Sequence, residues 1–426
     1  MTSDSSECYA YITLPGQVSP ITAGRFTITP NRQGVPTGKF VYGKSYLSRA
    51  DAVPFDPIEL KLTDTVFETT SLNGVFGSLR DAGPDYWGRR IIERHSGKIQ
   101  LGEIDYLLYS PDDRAGALGF GLNQEPPAPK REFNQTLDLT KLQEIADAII
   151  REDDISPENA EAQILDLMLA GTSMGGARPK AVVEDSEGLW LAKFNRQDDK
   201  WNSARVENSM LHLAKLCGLK TAESCITTIG GRDVLLVKRF DREKADEGYT
   251  RSRMISALTV LRAEDNHQSR EKWSYVLLAE ELRRICSNPA EDAKELFRRM
   301  VFNALISNTD DHPRNHAFIA KTVDWKLSPA YDLTPSALLS IERRDLAMAC
   351  GDLGRLANVK NILSQSGRFL LKKDEAKEIV DSMAEQVQTY WYSTMRSVGV
   401  SERDCEFLKS AFVYPGFLQN SKDSDH

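Results

Sequence analysis

The feature that most constrains this chain is a change of period near residue 243. Before it, short β-like runs broken by Gly, Pro, Asn and Asp follow one another, among them Tyr9 to Leu14, Gly24 to Ile28 and Lys39 to Tyr46. Beyond it, apolar residues recur at helical spacing from Trp273 to Cys286, Ala290 to Ile306 and Lys373 to Met395. The order predicts an α+β protein in which a mixed lobe precedes a helical lobe, with a ligand cleft between the two.

Punctuation divides the chain further. Residues 1–125 read as a strand-rich N-terminal subdomain, and the PPAPK run at 126–130 as a linker. Residues 131–242 form the mixed lobe, 243–418 the helical lobe, and 419–426 a polar, mobile tail. Within the first part, Asp81 to Pro84 is a turn into a short helix whose Trp87 reads as a packing residue. After the linker, Thr140 and Gln143 form a capping-box pattern for a helix over 141–151, and a second helix is predicted over 157–170, ending at Gly171.

A chain of 426 residues with 41% hydrophobic and 27% charged residues has the composition of a folded globular protein. Its formal charge of −8 gives no overall footprint for nucleic acid, so direct DNA binding is not expected. The six cysteines, at 8, 217, 225, 286, 350 and 405, include no CxxC pair. That scatter predicts reduced thiols in the cytoplasm rather than a disulfide or zinc framework. Neither a signal-like N-terminus nor a stretch of membrane-spanning length is present, so no membrane partner is expected.

The chemistry concentrates in residues 300–336, MVFNALISNTDDHPRNHAFIAKTVDWKLSPAYDLTPS. Asp310 and Asn315 lie five positions apart, and Asp332 follows seventeen residues after Asn315. Phosphoryl transfer needs one carboxylate to accept the hydroxyl proton, then an amide oxygen and a second carboxylate to hold magnesium at the nucleotide phosphates. Asp310 fits the first role; Asn315 and Asp332 fit the metal roles. His312 and His316, four apart, invite a zinc reading, but Pro313 interrupts the helix that spacing would require.

A second cluster precedes it. The run GTSMGGARPK at 171–180 sets Ser173 ahead of Gly175, Gly176 and Ala177 and closes with Arg178 and Lys180. Small residues let backbone amides approach phosphate oxygens, and the basic residues complement the charge. The hairpin AVVEDSEGLWLAKF then carries Lys193 near its end, and Glu207 in the following helix, about 204–217, is placed to pair with that lysine. A second hairpin exits through Lys238, Arg239 and Phe240, where adenine would meet the chain between the lobes. Glycine loop, hairpin, lysine and helix occur in the order of a kinase-type nucleotide lobe.

Taken together, TSMGGARPKA, LWLAKF, VKRFDR, TDDHPRNHAFI and LSPAYDLTPS, with the earlier YGKSYL, PDYWGR and GALGF, resemble the HipA family of bacterial serine/threonine kinases, the toxins of type II toxin-antitoxin modules. The resemblance covers most of the chain. It implies a two-lobed protein-kinase-like fold with a strand-rich N-terminal subdomain, ATP and Mg2+ as ligands, and a small helix-turn-helix antitoxin of the HipB kind as partner. DNA would then be reached mainly through that antitoxin. It further implies Asp310 as catalytic base, Asn315 and Asp332 as metal ligands, Lys193 as the phosphate-binding lysine, and Ser173 as a site of autophosphorylation. A phosphate on Ser173 would repel bound nucleotide and expel the loop, switching the enzyme off.

Two departures stand out: Asp311 occupies a position where many relatives have Gly, and Lys238 stands where a carboxylate is often found. A second carboxylate beside Asp310 would raise its pKa or perturb the metal. The functions that follow are an active kinase acting on a cytosolic protein, a weakly active relative serving as an antitoxin-bound corepressor, or a kinase of small molecules or lipids.

Overall fold

A computed structural model of the chain describes residues 6–96, 101–129, 133–135, 139–151, 178–337 and 340–418. The N-terminal subdomain is built on a sheet in the order β4-β3-β2-β1-β5, from β1 (Glu7–Thr13), β2 (Pro20–Pro30), β3 (Pro36–Tyr42), β4 (Phe67–Thr69) and β5 (Leu118–Gly121), all antiparallel. Alternation sends Ala10, Ile12, Phe26, Phe40 and Tyr42 into one core. There Tyr42 is ringed by Phe40, Tyr46, Phe55 and Phe67. The expected strand from Lys39 to Tyr46 stops at Tyr42. Gly43 starts a short helix, Lys44–Leu47, which turns Tyr46 inward so that its hydroxyl donates to the Val53 carbonyl at 2.6 Å.

The mixed lobe carries β6 (Asn134–Gln135), β7 (Lys180–Asp185), β8 (Gly188–Phe194), β9 (Ser224–Ile229) and β10 (Arg232–Lys238), in the order β6-β7-β8-β10-β9. Thr140 lies inside the helix Leu139–Arg151 rather than before it, so it is not the cap that its spacing with Gln143 suggested. The expected helix over 157–170, the loop over 171–177 with Ser173, Gly175, Gly176 and Ala177, and the tail at 419–426 lie outside the described residues.

The core of this lobe draws on the N-terminal subdomain. Trp87, Ile91 and Ile92, from the helix Tyr86–Ser96, pack with Leu139 and Leu142 against Ala181, Val183, Ala192 and Val234 of the sheet. Trp87 is indeed a packing residue, but its burial is under the sheet that follows the linker. A buried ionic junction adds to the seam: Asp241 accepts from both Arg239 and Arg242 and from the Gly116 amide at 2.9 Å. Arg239 and Arg242 in turn donate to the carbonyls of Asp113, Arg114 and Gly116.

Past β11 (Arg242–Ala245) and β12 (Gly248–Arg251) the helical lobe begins. A small sheet of β13 (Arg253–Ser256), β14 (Ala317–Ala320) and β15 (Lys326–Leu327) lies beside the helices Tyr275–Ile285, Pro289–Leu305 and Lys373–Ser397. Leu278, Leu282, Leu296, Met300, Val380 and Val387 share one core there. The N-terminal subdomain reaches this lobe too. Asp81 accepts from the Ser256 amide at 2.6 Å and from the hydroxyls of Ser256 and Thr259 at 2.7 Å, and so caps the turn after β13. No helix among the described residues is long and apolar enough to cross a membrane.

Candidate active site

Strand register fixes the upper wall of the cleft. Lys180 and Lys193 stand directly opposite each other on β7 and β8, and the period of two puts Lys193 on the face of Leu189 and Leu191. Like charges so placed repel, and each lysine is compensated by carboxylates from elsewhere. Lys180, only 2% exposed, is ion-paired with Asp85 of the N-terminal subdomain. The Lys193 ammonium donates to Glu207 at 2.6 Å and to Asp332 at 2.8 Å. Glu207 is positioned by the helix Ser203–Leu216, which Asn202 caps by accepting from the Arg205 amide at 3.1 Å.

Asp332 is held just as firmly. The chain before it is stapled to the entry of β9, with Ala330 donating to the Lys220 carbonyl at 2.7 Å and Ala222 donating to the Ala330 carbonyl at 2.9 Å. The Tyr331 hydroxyl donates to the Arg314 carbonyl at 2.9 Å, which ties this segment to the loop bearing Asp310. Asp332 has φ +60, in the left-handed region that a non-glycine residue occupies at a cost of about 1 kcal/mol or more. Its two bonded neighbours keep it there.

Asp310 to Asn315 is a tight turn. His312 donates to the Asp310 carbonyl at 2.8 Å and Asn315 to the His312 carbonyl at 2.9 Å, closing a single 3-10 turn that Pro313 begins. The Asn315 amide group also donates to the Asp310 carbonyl, at 3.4 Å. Asp310, Asp332, Lys193 and Lys180 line one cavity of about 790 Å³ between the lobes. Asn315 is buried and is not among the residues that line it.

Electrostatics separates the carboxylates. Burial pushes Asp310 above the ordinary aspartate value, with Asp332 and Asp311 adding to the rise and His312 opposing it. Burial also opposes ionisation of Asp332, but the Lys193 charge and hydrogen bond outweigh it and hold Asp332 below the ordinary value. Lys193 is correspondingly raised despite its burial, through Asp332 and Glu207. One carboxylate is thus fixed as an anion beside a cation, while the other is a better proton acceptor than a free aspartate.

Asp311 does not share the cleft with Asp310. It turns into the helical lobe, 1% exposed, where the Tyr275 hydroxyl donates to it and the His316 Nε2 lies 2.8 Å away. Tyr275 is fully buried, its hydroxyl reached by the Asn303 amide group at 3.4 Å and its ring edge-on to His316 at 5.5 Å. Asp311 therefore also anchors the turn that carries Asp310. Lys238 reaches Glu223 at 3.1 Å and lies 5.6 Å from the Trp190 ring centre.

The Arg239 side chain is spent inside the seam, while its backbone stays at the exit to which adenine is assigned. Its side chain, 3% exposed, is consumed by Asp241 and two carbonyls, and its amide donates to Leu189 at 2.8 Å. It braces the strand exit instead of offering a guanidinium to a nucleotide. Phe240 lines a narrow apolar crevice of about 10 Å³ with Leu191, Val237 and Tyr331, its ring 5.7 Å from that of Tyr331. Residues that sequence reasoning missed are Asp85, the Tyr275–Asp311–His316 brace, Tyr331 and the arginines Arg80, Arg89 and Arg314 of the cleft wall. Their partners are remote in sequence, and no local spacing marks them.

Comparison with known proteins agrees with this geometry. A protein of Sinorhizobium fredii that bears a kinase name is 27% identical over 191 residues, covering 42% of this chain and 45% of its own. The serine/threonine-protein kinase toxin HipA of Shewanella oneidensis is 26% identical over 157 residues, covering 33% and 36%. The matched region spans about half or less of these curated relatives. Among solved structures, a chain of the Shewanella oneidensis complex of HipA, HipB and operator DNA superposes with a TM-score of 0.68 over 95% of this chain and 94% of that one; at 16% identity this shows a shared fold. The profile of the HipA-like C-terminal domain matches residues 172–391, just over half of the sequence, and the chain belongs to that family.

Proposed function

We propose that this protein is a kinase that transfers the γ-phosphate of ATP to a serine or threonine hydroxyl of another protein. The observation that carries the reading is the Lys193 ammonium, bonded at once to Glu207 and to Asp332, 139 residues away, in a cleft that also holds Asp310. In phosphoryl transfer the work of the protein is positioning and electrostatics, and this arrangement supplies both.

Lys193 would meet the α and β phosphates, and the backbone at the exit through Lys238, Arg239 and Phe240 would meet the base. The amide oxygen of Asn315 and the carboxylate of Asp332 are hard donors. Two protein ligands suit Mg2+, which keeps waters and phosphate oxygens in its remaining positions. Bound there, the cation would neutralise charge on the phosphates. Asp310 would accept the proton of the attacking hydroxyl as its oxygen bonds to the γ-phosphorus. The bond from that phosphorus to the β,γ-bridging oxygen breaks, and ADP leaves with the electron pair.

The reading extends to regulation. Ser173 would be the protein's own phosphoacceptor, and Gly175, Gly176 and Ala177 of the same run would cradle phosphates; Lys180, which closes that run, is paired with Asp85. A small helix-turn-helix antitoxin of the HipB kind would restrain this cytoplasmic toxin and carry it to DNA, as fits a chain with a formal charge of −8 and the fold of a chain from a HipA–HipB–operator complex. That likeness also favours the second reading, a weakly active corepressor.

Intact mass after incubation with Mg2+ and ATP tests both. We expect a gain of one phosphate that Asp310→Ala and Ser173→Ala each abolish. No gain in a parent protein that still binds ATP by calorimetry would reject the autophosphorylating kinase in favour of the corepressor.

A further inference from the structure

Lys193, on β8, and Asp332, beyond β15, meet across the cleft at 2.8 Å. Under the roles proposed above, each already touches an ion of the charge it would meet in catalysis. The Lys193 ammonium holds the place of a cation on the metal-binding carboxylate, and that carboxylate holds the place of an anion on the phosphate-binding lysine. A cation reaching Asp332 therefore competes with Lys193, and a phosphate reaching Lys193 competes with Asp332.

The two partners of Lys193 are not equivalent. Glu207, on the helix Ser203–Leu216, lies 2.6 Å from the ammonium with its side chain 6% exposed. The Asp332 side chain is 31% exposed and lines both the large cavity and the narrow crevice at Phe240, whereas Glu207 lines the large cavity alone. Burial opposes the charge on Lys193, and Asp332 first and Glu207 second outweigh it. If Asp332 lets go, Lys193 still has Glu207, so no bare ammonium is stranded. Asp332 has no such reserve of equal weight. Burial opposes its charge too, and Lys193 comes before His312 and Lys180 among the groups that compensate it. The pair thus separates at low cost only when a cation reaches Asp332 as an anion reaches Lys193.

We propose that the Lys193–Asp332 ion pair is an exchange latch, which excludes a divalent cation or a phosphate chain arriving alone and opens to the two arriving together. The proposal rests on the kinase reading above and adds to it the regulation of ligand entry. A cation alone at Asp332 faces the neighbouring ammonium, and metal-free phosphates at Lys193 face the neighbouring carboxylate. Displacing one member of a partly buried pair of this kind corresponds to about tenfold in affinity.

The test is binding to the full chain, without turnover: Mn2+ read from the free-ion electron paramagnetic resonance signal, and ADP with a chelator read by calorimetry. We expect the parent to bind Mn2+ at least about tenfold more tightly with ADP present than alone. Asp332→Asn should bind metal-free ADP about tenfold more tightly than the parent, because Lys193 is released, and should lose the gain that metal gives. Lys193→Met should bind Mn2+ without nucleotide about tenfold more tightly than the parent, and adding Asp332→Asn should abolish that binding. Lys193→Arg keeps a cation beside Asp332 and should exclude Mn2+ as the parent does. If Asp332 serves only as a metal ligand, its removal leaves metal-free ADP affinity unchanged; if Lys193 serves only the phosphates, its removal leaves Mn2+ affinity unchanged. Either result, in a variant with a cooperative melt, would overturn the latch. So would a parent that binds Mn2+ as tightly alone as with ADP, a result that needs no variant. In each of these cases the kinase reading stands. No binding of ADP to the parent, with or without Mn2+, would remove both.

Discussion

Tyr275→Phe deletes a single buried oxygen behind the turn that presents Asp310. The ring stays in place, edge-on to His316, so no cavity larger than a hydroxyl is made. What is lost is the bond to the Asp311 carboxylate and the contact from the Asn303 amide group. A hydrogen bond to a charged acceptor contributes about 1.5–3 kcal/mol, and in a site that is 0% exposed no water replaces it. Asp311 keeps His316 at 2.8 Å, which limits the damage. We expect a loss of about 2 kcal/mol in stability of the helical lobe, read from the denaturant midpoint. Because Asp311 adjoins Asp310, a loosened anchor should also lower kcat by about tenfold, the effect of misplacing one catalytic group by a fraction of an ångström, with KM for ATP changed less than twofold. Tyr42→Phe is the control. It removes an equally buried hydroxyl, which donates to Leu60 at 2.8 Å and accepts from the Phe55 amide at 2.9 Å, in the N-terminal subdomain. It should cost about 1 kcal/mol and leave kcat of the folded protein alone. If Tyr275→Phe matches Tyr42→Phe in kcat, the anchoring argument is wrong.

Lys193→Met should abolish transfer and, by stranding Glu207 and Asp332 without their cation, destabilise the protein by about 3 kcal/mol at pH 7. That loss should shrink in denaturant titrations below pH 5, where the stranded carboxylates take up protons. Asp310 has its folded pKa raised, so kcat/KM should fall on an acid limb lying above the ordinary aspartate value of about 4. By linkage a raised carboxylate opposes folding increasingly as pH rises above its unfolded value of about 4, and fully above its folded pKa, so Asp310→Asn should melt higher than the parent at pH 7 while losing activity. Asp241 shows the opposite sign. The charges and hydrogen bonds of Arg239 and Arg242 outweigh its burial and hold it far below the usual range, so its contribution is complete above about pH 4 and is lost as acid protonates it. Asp241→Asn strands two buried guanidiniums and should cost about 3–5 kcal/mol at pH 7 by thermal or chemical melting.

What could be read in the sequence was whatever local spacing encodes. The two hairpins, the helix carrying Glu207 and the long helices of the second lobe follow from periods of two and 3.6, and their bounds fall within a few residues of expectation. The Lys193–Glu207 contact was legible because fourteen residues, one strand end and one helix start, fix their separation. Contacts across long loops carried no such signal. Nothing near Lys180 marks Asp85, 95 positions earlier, as its partner. Nothing in the VKRFDR run tells that the Arg239 side chain is spent on an aspartate two residues on and carbonyls some 125 residues back. The effect of Asp311 on the Asp310 pKa was legible from their adjacency, but its burial against Tyr275 and His316 was not, because a sequence does not say which of two adjacent carboxylates faces the core.

The packing of Trp87, Ile91 and Ile92 beneath the sheet of Lys193 bears on how such a chain may be divided. The family profile begins at residue 172, yet Ala181, Val183, Ala192 and Val234 find their cover in a helix that ends at Ser96. The unit that similarity delimits is thus smaller than the unit that burial delimits. A fragment starting at the profile boundary would present an apolar sheet face to water, and it should aggregate unless the residues before 172 are supplied, in the same chain or as a separate polypeptide.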